Sequence, residues 1–199
     1  MKTGWKSLAL CLVAGAGFAT TMVAVDVPGL TKGSDAVVHG KVTGIEAKWS
    51  GDRRRIFTEV SLEVVETWKG APPARLVIVQ PGGVVGDVGQ RVEGVAHFRV
   101  GEEVVVFLEA RGTGRYLVSG MAQGKYRVER STDGQLALAV PDSAGPARIL
   151  DPRTGREVPQ RSTVVKLAEL KAQVRDAQAE ASPPSVAPVP PRAPRKTVP

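Results

Sequence analysis

Three consecutive arginines, Arg53-Arg54-Arg55, follow Gly51-Asp52, with Trp49 before them and Trp68 after. Guanidinium groups present a planar fork of donors that matches carboxylate and phosphate oxygens. An indole beside such a cation can stack a ligand. Together these residues could grip a carboxylate, a phosphate or an acidic envelope polymer. The same pattern also describes a solvated turn with tryptophans plugging the core or an edge, and the residue types alone leave both readings open. The run from Gly82 and Gly83 to Gly89 is the second candidate. It has no P-loop lysine and no helix after it, so it lacks the means to cradle phosphate. It reads instead as a flexible loop, and loops carry binding function more often than the scaffold does.

Candidates for catalysis are sparse. His39 and His97 are the only histidines, and neither has neighbours at metal-ligand spacing, so no metal site is expected. His39 sits between Val38 and Gly40 in a strand pattern, and His97 sits beside Phe98 and Arg99. Either could serve a hydrolase as general base. No Gly-x-Ser-x-Gly elbow accompanies them, and Ser119-Gly120 reads as a turn. No cofactor motif is present. A non-enzymatic role is therefore the leading expectation, and a hydrolase the alternative.

Cys11 is the only cysteine, and it lies in residues 1–24, which carry the marks of a cleaved signal segment. Lys2 and Lys6 form a cationic stub, an apolar stretch runs from Leu8 to Phe18, and Gly17 and Ala19 give the small-x-small pattern that signal peptidase reads. Cleavage is expected after Ala19, with Thr21 or Ala24 as alternatives. An apolar run of about a dozen residues is too short to span a bilayer, so the mature chain should have no transmembrane span. The expected destination is the periplasm or the outside of the cell. A mature chain without a thiol can form no disulfide, thiolate metal site or cysteine nucleophile.

The formal charge of +7 invites a nucleic-acid reading, but its distribution argues against one. Residues 25–160 hold 18 Lys and Arg against 17 Asp and Glu. The excess lies in the leader and in residues 183–199, where Arg192, Arg195 and Lys196 meet no acid. A basic groove is absent, and nucleic acid is not an expected partner.

The elements that must position these residues read as β structure, consistent with 42% apolar and 5% aromatic content and many valines. Residues 25–33 form a leading segment that could hold one helical turn. Strands are expected at 36–49, 56–68, 76–79, 104–108, 116–119, 125–130 and 135–140. Gly40 and Gly44 inside the first, and the reversed parity at Val65 and Glu66 in the second, indicate bulges that let a sheet curl. Residues 84–95 read as irregular. Val104 to Leu108 is a continuous apolar run bounded by charges, the pattern of a strand buried on both faces. A helix is expected over 162–180, opening at Ser162 or Thr163. Residues 182–199, with seven prolines, read as a disordered basic tail. The expected organisation is a signal segment (1–24), one β-barrel domain (25–160), a helix (161–181) and the tail (182–199), acting as a monomer.

Three stretches taken together, Ser34–Val42 (SDAVVHGKV), Val64–Gly70 (VVETWKG) and Gly101–Leu108 (GEEVVVFL), follow an order that resembles exported bacterial β proteins. The order is also similar to the OB-fold of netrin-like modules and tissue inhibitors of metalloproteinases. The resemblance covers residues 34–108 and implies a single closed, OB-like barrel. Those inhibitors chelate zinc through an N-terminal cysteine, which this chain lacks, so their mechanism and site residues do not carry over. The expected function is therefore an exported binding module that recognises a protein or an anionic envelope ligand through its loops. A structural envelope component is a further alternative.

Overall fold

A computed structural model of the chain describes residues 20–161 and 163–181. The expected leader through residue 19, with Cys11, lies outside the described residues, as do Ser162 and the proline-rich tail from 182. The described residues are mainly β. In chain order they are β1 (Thr21–Val23), α1 (Val27–Gly33), β2 (Ala36–Trp49), β3 (Ile56–Lys69), β4 (Arg75–Pro81), β5 (Gly83–Val85), β6 (Val88–Gln90), β7 (Glu103–Ala110) and β8 (Arg115–Val118). A 3-10 turn (Met121–Gly124) leads into β9 (Lys125–Arg130), β10 (Ala137–Pro141), β11 (Arg148–Leu150), β12 (Glu157–Val158), β13 (Val165–Lys166) and α2 (Leu167–Ala181). No described helix is long and apolar enough to cross a membrane.

Five strands close into a barrel in the order β2-β3-β4-β8-β7 and back to β2. The β4–β8 pairing is parallel, with Val77 opposite Arg115, and the other four are antiparallel. β2 and β3 can wrap this barrel because they bend. Their register slips at Val37/Val38, where Trp68 is the extra residue, and again at His39/Gly40, where Val65 is, and at Val42/Gly44, where Thr43 is; the last two lie beside Gly40 and Gly44. These are the bulges the glycines and the parity reversal foretell.

β7 is the strand on which the sheet forks. One edge pairs with β2 along residues 103–108. The other edge pairs with β9 through Val104–Val106 and with β8 through Leu108–Ala110. The first half therefore leads out to β9, β10 and β13, while the second half closes the barrel. Buried on both faces, the strand has no use for alternation. Val104, Val106 and Leu108 fill the barrel with Val38, Val42, Val60 and Ile78, while Val105 and Phe107 meet α1 and α2 through Leu30, Leu170 and Val174. A third, smaller cluster of Met22, Ala122, Ala144 and Ala147 lies beside the β1-β11-β12 sheet.

Two expectations are corrected. α2 begins at Leu167, not at 162–163, because Val165 pairs with Ala139 as strand β13 and a β-branched pair there serves the sheet. Leu170, Val174 and Ala177 form the buried stripe as expected, but Val164 is outside the helix and exposed. Residues 84–95 are not wholly irregular: β5 and β6 make a hairpin in which Val85 faces Val88 across Gly86-Asp87.

The fork is held by one buried charge. Lys125, 2% exposed, opens β9 opposite Val106, the last residue of β7 to pair with it. Its ammonium donates to the His97 carbonyl and to both Glu102 carboxylate oxygens at 3.0 and 3.1 Å. Asp142 lies 3.7 Å away and the Phe98 ring centroid 4.8 Å. Glu102 and Asp142 also accept the amides of Arg99 and His97, so the same group fixes the backbone of the strandless stretch before β7. Replacing Lys125 by methionine strands two carboxylates without their cation. The expected loss is about 3–5 kcal/mol of unfolding free energy in urea titration. Arg148→Met, which breaks an exposed pair with Glu157, should cost below about 1 kcal/mol.

Candidate functional site

Loop 50–55 joins β2 to β3 and is built by its own polar side chains. The Ser50 amide donates to the Arg55 carbonyl at 2.7 Å and the Arg53 amide to the Ser50 carbonyl at 2.8 Å. Asp52 Oδ1 accepts from the Ser50 hydroxyl at 2.6 Å and from the Arg54 amide at 3.1 Å. The Arg55 amide in turn donates to Ser50 Oγ at 3.0 Å. The Ser50 hydroxyl, followed by the Arg54 amide, holds the Asp52 carboxyl below its ordinary range. Arg53 adopts a left-handed φ of 54°, uncommon for a residue with a side chain, which marks a sharp and specified turn. All three arginines are exposed, and among the described residues none of their side chains makes an ion pair.

The neighbouring cations are committed. Lys48 pairs with Glu46 and Glu59, and Arg115 also takes Glu59, whose carboxyl is lowered first by Lys48 and then by Arg115. Arg91 pairs with Glu93. The arginine turn, with Asp52 as its own acid, therefore stands as a net cationic tip beside a sheet surface whose cations are paired.

The glycine loop comes to the same end of the barrel. Gly82 donates its amide to the Ile56 carbonyl at 2.8 Å and accepts the Thr58 hydroxyl at 2.8 Å, while the Ile56 amide donates to Gln90 Oε1 at 2.8 Å. Ile56 directly follows Arg55, so the base of the β5–β6 hairpin is stitched to the arginine turn. Gly83, at φ 138°, cannot carry a side chain: a Cβ would lie 2.6 Å from Thr58 Oγ1 and 2.9 Å from the Ala47 Cβ. Beneath the hairpin lies a cavity of about 270 Å³ lined in part by Thr58, Gln80, Gly82, Gly83 and His97. The hairpin leaves Val84 68% and Val88 49% exposed. Sequence reasoning missed these two valines, although Gly86-Asp87 between apolar pairs is itself a hairpin signal.

The two tryptophans separate. Trp49 pairs with Ile56 at the tip, half-buried. Trp68 lies at the other end of the hairpin, about 40 Å along β3 from Ile56. It packs against the helix-facing cluster, donates Nε1–H to Glu66 and accepts Gln178 at its carbonyl. The structure thus brings Arg53, Arg54, Arg55, Trp49, Gly82 and Gly83 to one end and excludes Trp68 from it.

The histidines also part. The His97 backbone anchors the Lys125 cluster and its residue is exposed. His39 is buried near Trp68 (ring centroids 6.1 Å apart), with Nε2 2.6 Å from Glu103 Oε1. Glu103 is bound by Arg130 through Nε and Nη2, so its carboxylate bridges β2 and β9. Among the described residues no group of three His, Cys, Asp or Glu side chains is placed to hold a metal. A larger cavity, about 700 Å³, lies elsewhere, against Asp26, Gln123, Asp151, Arg153 and Arg161. Its polar groups are largely used: Arg161 donates to the Tyr126 hydroxyl and the Val25 carbonyl, Asp26 caps α1, and Asp151 takes two turn amides. No protein-family model matches the chain, and no curated protein matches it.

The Arg130 guanidinium, with help from His39, holds the Glu103 carboxyl below the usual glutamate range despite partial burial. A depressed folded-state pKa gives stability that is fully present above the unfolded value, about 4.3, and is lost as pH falls through the lower folded value. Urea titrations from neutral pH down to about pH 3 should show this acid loss, and Glu103→Gln should make it shallower.

Proposed function

We propose that this chain is an exported, non-enzymatic β-barrel module that binds an anionic ligand at the tip formed by loop 50–55 and the β5–β6 hairpin. The observation that carries the reading is the state of Arg53, Arg54 and Arg55. They are consecutive, exposed and free of ion pairs among the described residues, on a turn that engages its own acid, Asp52. Forked donors at such a tip suit phosphate or carboxylate groups. The barrel order supports an OB-like reading. The first, second, third, fifth and fourth barrel strands follow one another round the closure, and in OB-folds the loop between the first two strands is a recognition loop. No specific contact favours an enzymatic or purely structural reading over this one.

Export follows from the leader pattern, and the fold favours one cleavage position. β1 pairs in parallel with β11, the Thr20 carbonyl accepts the Arg148 amide, and Met22 is buried at 6% exposure. Cleavage after Ala19 retains all three; cleavage after Ala24 removes them. Mass spectrometry of the exported chain should find Thr20 as its first residue. A product that begins at Val25 and still melts cooperatively would contradict this.

Ligand binding is tested by calorimetric titration with polyphosphate at low and physiological salt. Binding should weaken with salt, as expected for exposed charges. Changing Arg53, Arg54 and Arg55 together to glutamine should reduce affinity roughly tenfold to hundredfold. Unchanged affinity in that variant would sink the reading.

A further inference from the structure

The arginine tip does not stand alone: two valines are exposed beside it, on a hairpin hydrogen-bonded to the residue that follows Arg55. A soluble polyanion would have no use for them. We propose that the ligand at this end of the barrel is the surface of an anionic phospholipid bilayer, an inference that rests on the anionic-ligand reading above. Val84 and Val88 enter the headgroup layer while Arg53, Arg54 and Arg55 take lipid phosphates.

The β5–β6 register puts Val84 and Val88 on opposite faces of the hairpin, so entry by its tip brings one valine to each flank. Exposed apolar side chains that are flanked by cations gain both from leaving water and from the negative surface potential of the lipid. Arginine suits the boundary because its methylene stem can lie in the apolar layer while the guanidinium stays at phosphate level. The hairpin is narrow, with Gly86 and Gly89 beside the valines, so little polar side-chain surface has to be desolvated with them. Its inner backbone groups are paired within β5–β6, while the two outer edges of this two-stranded sheet stay open, which limits entry to the hydrated headgroup layer. The joint at Gly82, Gly83 and Ile56 ties the base of the hairpin to the strand that leaves the arginine turn.

Two acids share this end. Asp52 is turned into its own loop by Ser50 and Arg54. Asp87 stands at the hairpin turn and opposes an anionic surface, which makes binding modest and offers a sharp test of geometry.

The experiment is sedimentation of the exported, processed chain with vesicles of equal parts phosphatidylcholine and phosphatidylglycerol. Phosphatidylcholine vesicles serve as control, and polyphosphate titration runs in parallel. The chain should bind the mixed vesicles and not the control. Val84→Asn with Val88→Asn should lose about tenfold or more on vesicles while keeping polyphosphate affinity and melting temperature, since both side chains are exposed. Each Arg→Gln change at 53, 54 or 55 should cost about fivefold on vesicles. Asp87→Asn should bind vesicles more tightly. Vesicle binding that is unaffected by the valine changes, or not strengthened by Asp87→Asn, overturns the bilayer proposal. So does polyphosphate binding without vesicle binding, and in each of these cases the anionic-ligand reading survives. Polyphosphate binding that survives loss of the three arginines overturns that reading itself.

Discussion

A buried ammonium group must find its counter-charge nearby, and that requirement at Lys125 organises the part of the fold that strand pairing leaves undecided. β7 has two successive neighbours on one edge, so the sheet needs a reason to split between Val106 and Leu108. Lys125 opens β9 at the split and gathers the His97 carbonyl, Glu102 and Asp142 around itself. Those acceptors lie in the strandless stretch before β7 and in the turn after β10. One charge therefore fixes where two sheets diverge and how a long connection lies over the barrel. A methionine of similar length could fill the volume but could not hold the carbonyl or the carboxylates. The acceptors would then face burial unpaired, which costs more than the bonds themselves return.

The same device recurs wherever a non-β segment meets the barrel. Lys69 donates to the Thr31 and Ser34 carbonyls, both at 2.6 Å, which closes the C-terminal end of α1. Arg161 holds the Val25 carbonyl and the Tyr126 hydroxyl, tying the segment before α2 to the segment before α1. Lys171 on α2 reaches Glu66 on β3. With its single cysteine at position 11, the domain has no disulfide to cross-link these segments. Cations that reach across long sequence separations to backbone oxygens take that part, supported by valine-rich packing on both faces of β2 and β7.

Much of this was legible in the sequence. The limits of β2 and β9, the bulges at Gly40 and Val65 and the doubly buried VVVFL run all follow from periodicity, because each records which side of a strand meets the core. What was not legible depends on long-range pairing. β1, β11, β12 and β13 are two or three residues long, too short to show a period, and exist because a partner strand is present. The start of α2 was misplaced because Val164 and Val165 continue a helical spacing yet Val165 pairs with Ala139. Trp49 and Trp68 both flank the arginines in number, but fourteen-residue strands carry the second to the opposite end. His39, bland as a sequence feature, proved to be hydrogen-bonded across the sheet to Glu103. The closeness of the glycine loop to the arginine turn could not be read from either segment, since it rests on Gln90 reaching back to Ile56 across 34 residues.

Seen this way, the arginine turn differs from the rest of the molecule in how its charges are employed. Lys69, Lys125, Arg130 and Arg161 are all engaged in holding the fold through carbonyl, hydroxyl or carboxylate oxygens. The side chains of Arg53, Arg54 and Arg55 take no part in closing their turn, which rests on Ser50, the Asp52 carboxylate and backbone amides. Three adjacent like charges on a tight loop repel one another, and the one acid in the loop, Asp52, offsets only part of that cost. Other described cations, such as Lys41, Arg75 and Arg99, also lack an ion pair, but only at this turn do three stand consecutively. Val84 and Val88 are likewise exposed, on the hairpin whose base is bonded to Ile56. Both features fit the proposed contact with a ligand outside the chain.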